Sequence, residues 1–129
     1  MPRRQIIEVP GVDHGTQPFP LAVRIGNIVL TSGINGMDRA THAIPDDPAA
    51  QVACMFDNIR SVMETAGGSV DDIGQVVLTL TGSRYRALVN ERWVEMFPDE
   101  HDRPARNTQF RQLGGNSVCS ALVTAVLSE

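Results

Sequence analysis

A chain of 129 residues and 14.0 kDa fits one domain, with enough length to bury a core without disulfide or metal staples. Hydrophobic residues at 42% and charged residues at 20% are globular values that exclude a disordered, collagen-like or coiled-coil chain. A formal net charge of −4, with no basic stripe, argues against nucleic acid as the main partner.

Gln5 to Val9 is a short strand candidate. The opening carries Arg3, Arg4, Glu8 and Pro10 and no apolar stretch long enough for a signal peptide or a membrane span, so a soluble cytoplasmic protein is expected. A polar stretch from Pro10 to Pro20 leads into two β-rich runs, Leu21 to Ile25 and Ile28 to Ser32, that flank Gly26-Asn27. Such a pair between two strands predicts a hairpin, because Gly and Asn tolerate the positive φ that tight hairpin loops need. After a loop from Asn35 to Pro48, Val52, Met55, Phe56, Ile59, Val62, Met63 and Ala66 recur at steps of three and four. That spacing predicts a helix from Pro48 to Ala66, with Asp47 as N-cap, Pro48 at the first helical position and Gly67-Gly68 as the stop.

Gln75 to Leu80 reads as a mostly buried strand. Tyr85, Leu88, Val89, Trp93, Met96 and Phe97 repeat the helical spacing, with Ser83 as candidate cap and Pro98 as terminator. Two further strands close the chain. Ala105 to Leu113 is unusually polar and should meet water, a ligand or another subunit. Val118 to Leu127 is nearly all apolar and should be covered on both faces. The order β-β-β-α-β-α-β-β predicts an α+β domain, a single-layer mixed six-stranded sheet with two helices on one face, spanning residues 1–129. No third helix is available for the other face, so identical chains are expected to cover it in a closed oligomer.

All 11 basic residues are arginine, which excludes lysine Schiff bases, pyridoxal-phosphate anchoring and the P-loop lysine. Cys54 and Cys119 form no CxxC pair and read as small buried hydrophobes. The histidines, His14, His42 and His101, fall in predicted loops. His14 and His42 lack metal-ligand spacing, and Asp99-Glu100-His101-Asp102 reads as a solvated loop, so no metal is expected. Trp93 and Phe97 read as core or interface residues and not as a stacking platform. What remains is Arg106 on the polar strand, whose planar fork suits a carboxylate gripped by two parallel bonds, although a lone arginine there is more often a surface ion pair.

Several segments together resemble one family. Ala22-Val23-Arg24-Ile25-Gly26-Asn27, continuing to Thr31-Ser32-Gly33, looks like the pattern AVxxGNxxxTSGQ. Gln51 through Asn58 to Met63-Glu64-Thr65-Ala66-Gly67-Gly68-Ser69-Val70-Asp71-Asp72-Ile73 is similar to its helix and following turn. Val89-Asn90 resembles the "VN" of its second helix, and Pro104-Ala105-Arg106 its "PAR". The chain is thus similar to the Rid family (reactive intermediate deaminases, also called the YjgF or endoribonuclease L-PSP family) from about Pro18 to Leu127.

The resemblance implies a chorismate-mutase-like fold and a homotrimer whose three sheets line a central barrel, with ligand pockets in clefts between subunits. It implies hydrolysis of a small enamine or 2-imino acid to a 2-keto acid and ammonia without cofactor. Under it Arg106 grips the substrate carboxylate, and Phe19, Ser32, Gly33, Asn90, Asn107, Leu122 and Thr124 are pocket positions. The backbone from Arg106 to Thr108 would take the nitrogen end. The departures are specific. "GPYSQA" becomes Gln17-Pro18-Phe19-Pro20-Leu21-Ala22, without the tyrosine hydroxyl, and the glutamine of "TSGQ" becomes Ile34. The cysteine of "PARSC" becomes Thr108. The two glutamates of "VEIEAIA" become Leu122 and Thr124, so the water that the first is thought to place needs another holder: Thr108, Thr124 or Glu129. The alternatives are a non-catalytic trimer that binds small carboxylates and, less in keeping with the acidic balance, a ribonuclease or translation inhibitor.

Overall fold

The hairpin forms where Gly26-Asn27 stands. In the computed structural model, which describes residues 2–128, β2 (Ala22–Ile25) pairs antiparallel with β3 (Ile28–Thr31). Of the two loop residues Gly26 alone takes a positive φ, +59°, the glycine-first pattern of a type II′ loop whose twist matches that of the strands. β1 (Gln5–Ile7) pairs with β2 and stops short of Val9. β7 (Cys119–Val126) lies between β3 and β5 (Ile73–Leu80), antiparallel to both, and β6 (Ala105–Phe110) runs parallel to β5 at the edge.

The sheet is mixed, as expected, but has seven strands and not six. Six follow the order β1-β2-β3-β7-β5-β6, and β4 (Ile34–Asn35) pairs with β7 beyond the end of β3. A two-residue strand leaves no alternation to read, so it lay inside the predicted loop.

α1 (Pro48–Thr65) begins as its sequence predicts. The Asp47 side chain accepts from the Ala50 N–H at 3.2 Å, and Pro48 fills the first turn. It ends at Gly67, whose φ of +93° lets its N–H reach the Glu64 carbonyl and that of Gly68 the Met63 carbonyl, satisfying the last turn. α2 (Arg86–Met96) differs from expectation at its start. Ser83 to Tyr85 form a 3₁₀ turn, and no side chain caps either segment, so Ser83 is not the N-cap. A backbone bond from Tyr85 N–H to the Gly82 carbonyl takes its place.

Both helices cover one face. Val29, Val76, Leu78, Leu80, Ala121, Val123 and Ala125 meet Val52, Met55, Ile59, Val62 and Met63 of α1 and Val89 and Trp93 of α2 in one core. The burial of β7 alternates strictly along the strand, so one chain by itself covers only one of its faces. Within one chain its other face lies open, with Leu122 at 47% and Val126 at 54% exposure beside Ile28, Leu30 and Ile6.

Two polar side chains lie fully inside on α1. Gln51 donates through Nε2 to the Pro45 and Asn116 carbonyls at 2.7 and 2.9 Å, and its Oε1 accepts from the Val118 N–H at 2.9 Å. Asn58 donates to the Asn35 and Met37 carbonyls at 3.0 and 2.9 Å. Both pin the β4–α1 loop, and Gln51 also pins the entry to β7. Gln51→Leu keeps the volume but strands a buried N–H and two carbonyls, so it should cost about 2–4 kcal/mol, read as a lower urea midpoint at unchanged m-value.

Candidate functional site

The polar strand is the sheet edge, which accounts for its composition. Among the described residues β6 pairs with β5 alone. Arg111 N–H bonds to the Leu80 carbonyl at 3.1 Å, in register with the Leu80–Phe110 pair. Since backbone groups alternate sides along a strand, the N–H and C=O of Arg106 and Thr108 then face the open edge. This is the stretch expected to take the nitrogen end of a substrate.

The Arg106 and Thr108 side chains lie on the helix-covered face, in register with buried Val76 and Leu78. Arg106 is half-buried. Its Nη2 donates to Asn90 Oδ1 at 2.8 Å, and its guanidinium carbon lies 5.0 Å from the centre of the Trp93 ring. Partial burial, and then the charge of Arg86, hold its pKa below the ordinary arginine value. Among the described residues no carboxylate pairs with it. An amide oxygen and a ring face orient the guanidinium without neutralising it, and most of its five donors stay available for an anion. Trp93 is core, as expected, but its ring also supports Arg106. The i, i+3 spacing of Asn90 and Trp93, which puts both on one helix face, was the available signal.

The other predicted positions divide. Ser32 Oγ donates to the Pro20 carbonyl at 2.8 Å and thereby fixes the loop that carries Phe19. Phe19 is partly exposed and stacks on His14 at 6.0 Å. His14 Nε2 lies 2.8 Å from Glu8 Oε2, and Glu8 Oε1 accepts from the Leu21 N–H at 3.1 Å, so this histidine braces the loop. His101 sits in a solvated loop beside Glu100. Among the described residues no three metal-ligating side chains converge.

Gly33 and Leu122 come together on the open face, in a depression of about 210 Å³ shared with Thr79, Gln109, Arg111 and Ser120. A Cβ at position 33 would stand 3.0 Å from Ser120 Oγ. Asn107 and Thr124 also face this side, in register with Val77 and Gln75. Within one chain, therefore, Arg106, Asn90 and Thr108 lie on one side of β6, and Gly33, Asn107, Leu122 and Thr124 on the other. Glu129 lies outside the described residues. Gln109 and Arg111 entered no sequence motif; their place at the polar strand's end was the only hint.

A family model, Endoribonuclease L-PSP, matches residues 14–113. The chain belongs to this family, the Rid group whose motifs its sequence resembles. Solved structures agree. RidA from an Antarctic Psychrobacter is 29% identical with a TM-score of 0.87, covering 96% of this chain and 100% of its own. The YjgF gene product of E. coli is 26% identical with a TM-score of 0.84, over 95% and 98%. E. coli TdcF, solved with bound serine, is 27% identical with a TM-score of 0.86, over 96% and 99%. Among the described residues no helix is long and apolar enough to cross a membrane.

Neither cysteine joins the site. Cys119 is buried in β7, and burial pushes its thiol up to about 12. Burial, then Asp38 and Asp57, also raise that of Cys54. Above its ordinary value near 9 the thiol at 119 ionises only in the unfolded chain, which draws the equilibrium toward unfolding as pH rises. Stability should fall by up to about 1.4 kcal/mol per pH unit above this value. Urea midpoints in alkaline buffers should fall less steeply for Cys119→Ala than for wild type.

Proposed function

We propose that this chain is a cofactor-independent hydrolase of a small 2-imino acid, reached also from its enamine tautomer, with Arg106 holding the substrate carboxylate. The observation that carries this reading is the half-buried guanidinium held, among the described residues, only by Asn90 and Trp93, beside the free backbone of an edge strand. The relative crystallised with bound serine, a small molecule with a carboxylate, is in keeping with it.

The chemistry asks little of the protein. Water adds to the C=N carbon of the protonated imine, and the resulting carbinolamine expels ammonia to leave the 2-keto acid. Such a carbon is already electrophilic, so orientation, a proton kept on the nitrogen and one placed water suffice. Arg106 supplies the orientation, as anchor and counter-charge of the carboxylate. Carbonyl groups along the edge at Arg106 and Thr108 accept from the iminium N–H, which keeps the nitrogen protonated. Thr108, on the next pleat of the same face, holds the water.

A second reading, carboxylate binding without turnover, is favoured by Leu122 and Thr124. They stand where deaminating relatives are expected to carry glutamates, and neither offers a carboxylate. Coupling to a serine or threonine dehydratase with semicarbazide trapping separates the two. The hydrolase should speed keto-acid release and lower the trapped fraction, and Arg106→Ala should weaken the effect by at least ~10-fold, the value of a charge-assisted bond. No acceleration, with Arg106-dependent binding of 2-oxobutanoate, leaves the binder; neither result leaves no carboxylate role.

The proposed assembly is a homotrimer, as the resemblance implies, closing on the open sheet face. Its exposed Ile6, Leu30, Leu122 and Val126 form an apolar patch that a monomer rarely leaves uncovered. Sedimentation should give a three-chain particle that Leu122→Asp breaks down. A wild-type monomer of 14.0 kDa would rule the trimer out.

A further inference from the structure

Among the described residues, Arg106 is not the only cation without an acidic partner on its side of the sheet. Arg86, Asn90 and Trp93 recur at i, i+4 and i+7 and so share one face of α2. Opposite them, Arg106, Thr108 and Phe110 alternate along one face of β6. The two rows meet rung by rung. The Arg86 guanidinium carbon lies 5.1 Å from the centre of the Phe110 ring, as that of Arg106 lies over Trp93, with Thr108 between the two strand positions. α2 and β6 thus set two ring-supported cations side by side on one surface, one on each element.

We infer that the substrate held by Arg106 carries a second carboxylate on its side chain, and that Arg86 is the residue that binds it. The inference rests on the carboxylate reading above and narrows it to a 2-imino diacid. Among the described residues neither guanidinium has an acidic partner. The two also sense each other, since the charge of Arg86 contributes to the lowered pKa of Arg106. Like charges held together are destabilising until an anion bridges them. A monoacid answers only one, whereas a diacid answers both and leaves its C=N carbon between them, beside Thr108. Each ring supports a cation by its π-face and consumes no N–H, so both forks keep donors for a carboxylate.

Calorimetric titration with two stable keto acids, 2-oxoglutarate and 2-oxobutanoate, tests this on the wild-type protein and on Arg86→Gln, Arg86→Lys and Arg106→Ala. Wild type should bind the diacid at least ~10-fold more tightly, as one added charge-assisted bond requires. Arg86→Gln should abolish that preference while leaving the monoacid within ~2-fold, Arg86→Lys should keep part of it, and Arg106→Ala should weaken both acids. Equal wild-type affinities, or an Arg86→Gln loss shared equally by both acids, overturn the inference while Arg106-dependent binding still supports the reading beneath it. Binding that is absent or indifferent to Arg106→Ala overturns both.

Discussion

A guanidinium oriented by an amide oxygen and an indole face, with no carboxylate among the described residues to neutralise it, is the constraint around which the candidate site is built. A buried ion pair would have fixed the same side chain more firmly but left no charge to offer. Asn90 and Trp93 fix direction, and partial burial strengthens whatever Arg106 next meets by lowering the local dielectric. An arginine tolerates this because it stays protonated when partly desolvated, whereas a lysine in the same place readily loses its proton. In a chain with no lysine at all, an arginine is the side chain through which the proposed site would hold a substrate carboxylate.

The fold supplies that arrangement through one crossover. β5 and β6 are parallel, so the chain must return between them, and α2 is the return. The helix therefore lies against the edge strand it leads into, and its face of Arg86, Asn90 and Trp93 is set over the alternate residues of β6. A two-residue hairpin in place of the helix would have made the pair antiparallel and left nothing over Arg106.

The single layer has a second consequence. A side chain on one face of a strand cannot reach a ligand on the other, so the Arg106 group and the Leu122 group of one chain serve different surfaces. In the proposed trimer a neighbouring chain can bring its open face to the edge of β6, which would unite them. The exposed hydrophobics of that face and the polar edge strand are then two parts of one design, as are Gln51 and Asn58, whose buried bonds hold β4 and its loop against β7.

Much was legible without coordinates wherever a local rule sufficed. The Gly26-Asn27 hairpin, the Asp47 cap with Pro48, the Gly67 stop and the periodic face of α1 each follow from a few adjacent residues, and the structure reproduces them. The family pattern likewise singled out Asn90 and Arg106 from short motifs. Contacts between distant residues stayed hidden, because no period or cap encodes them. β4 was too short to alternate. The 3₁₀ turn at Ser83 removed the need for a cap, and Gln51 looked like a polar position until its partners at 45, 116 and 118 were in place. That Trp93 supports Arg106, that Arg86 stands over Phe110 of the same strand, and that β7 has one bare face depend on which elements the folded chain sets side by side. Strand order decides this, and only the packed chain reveals it.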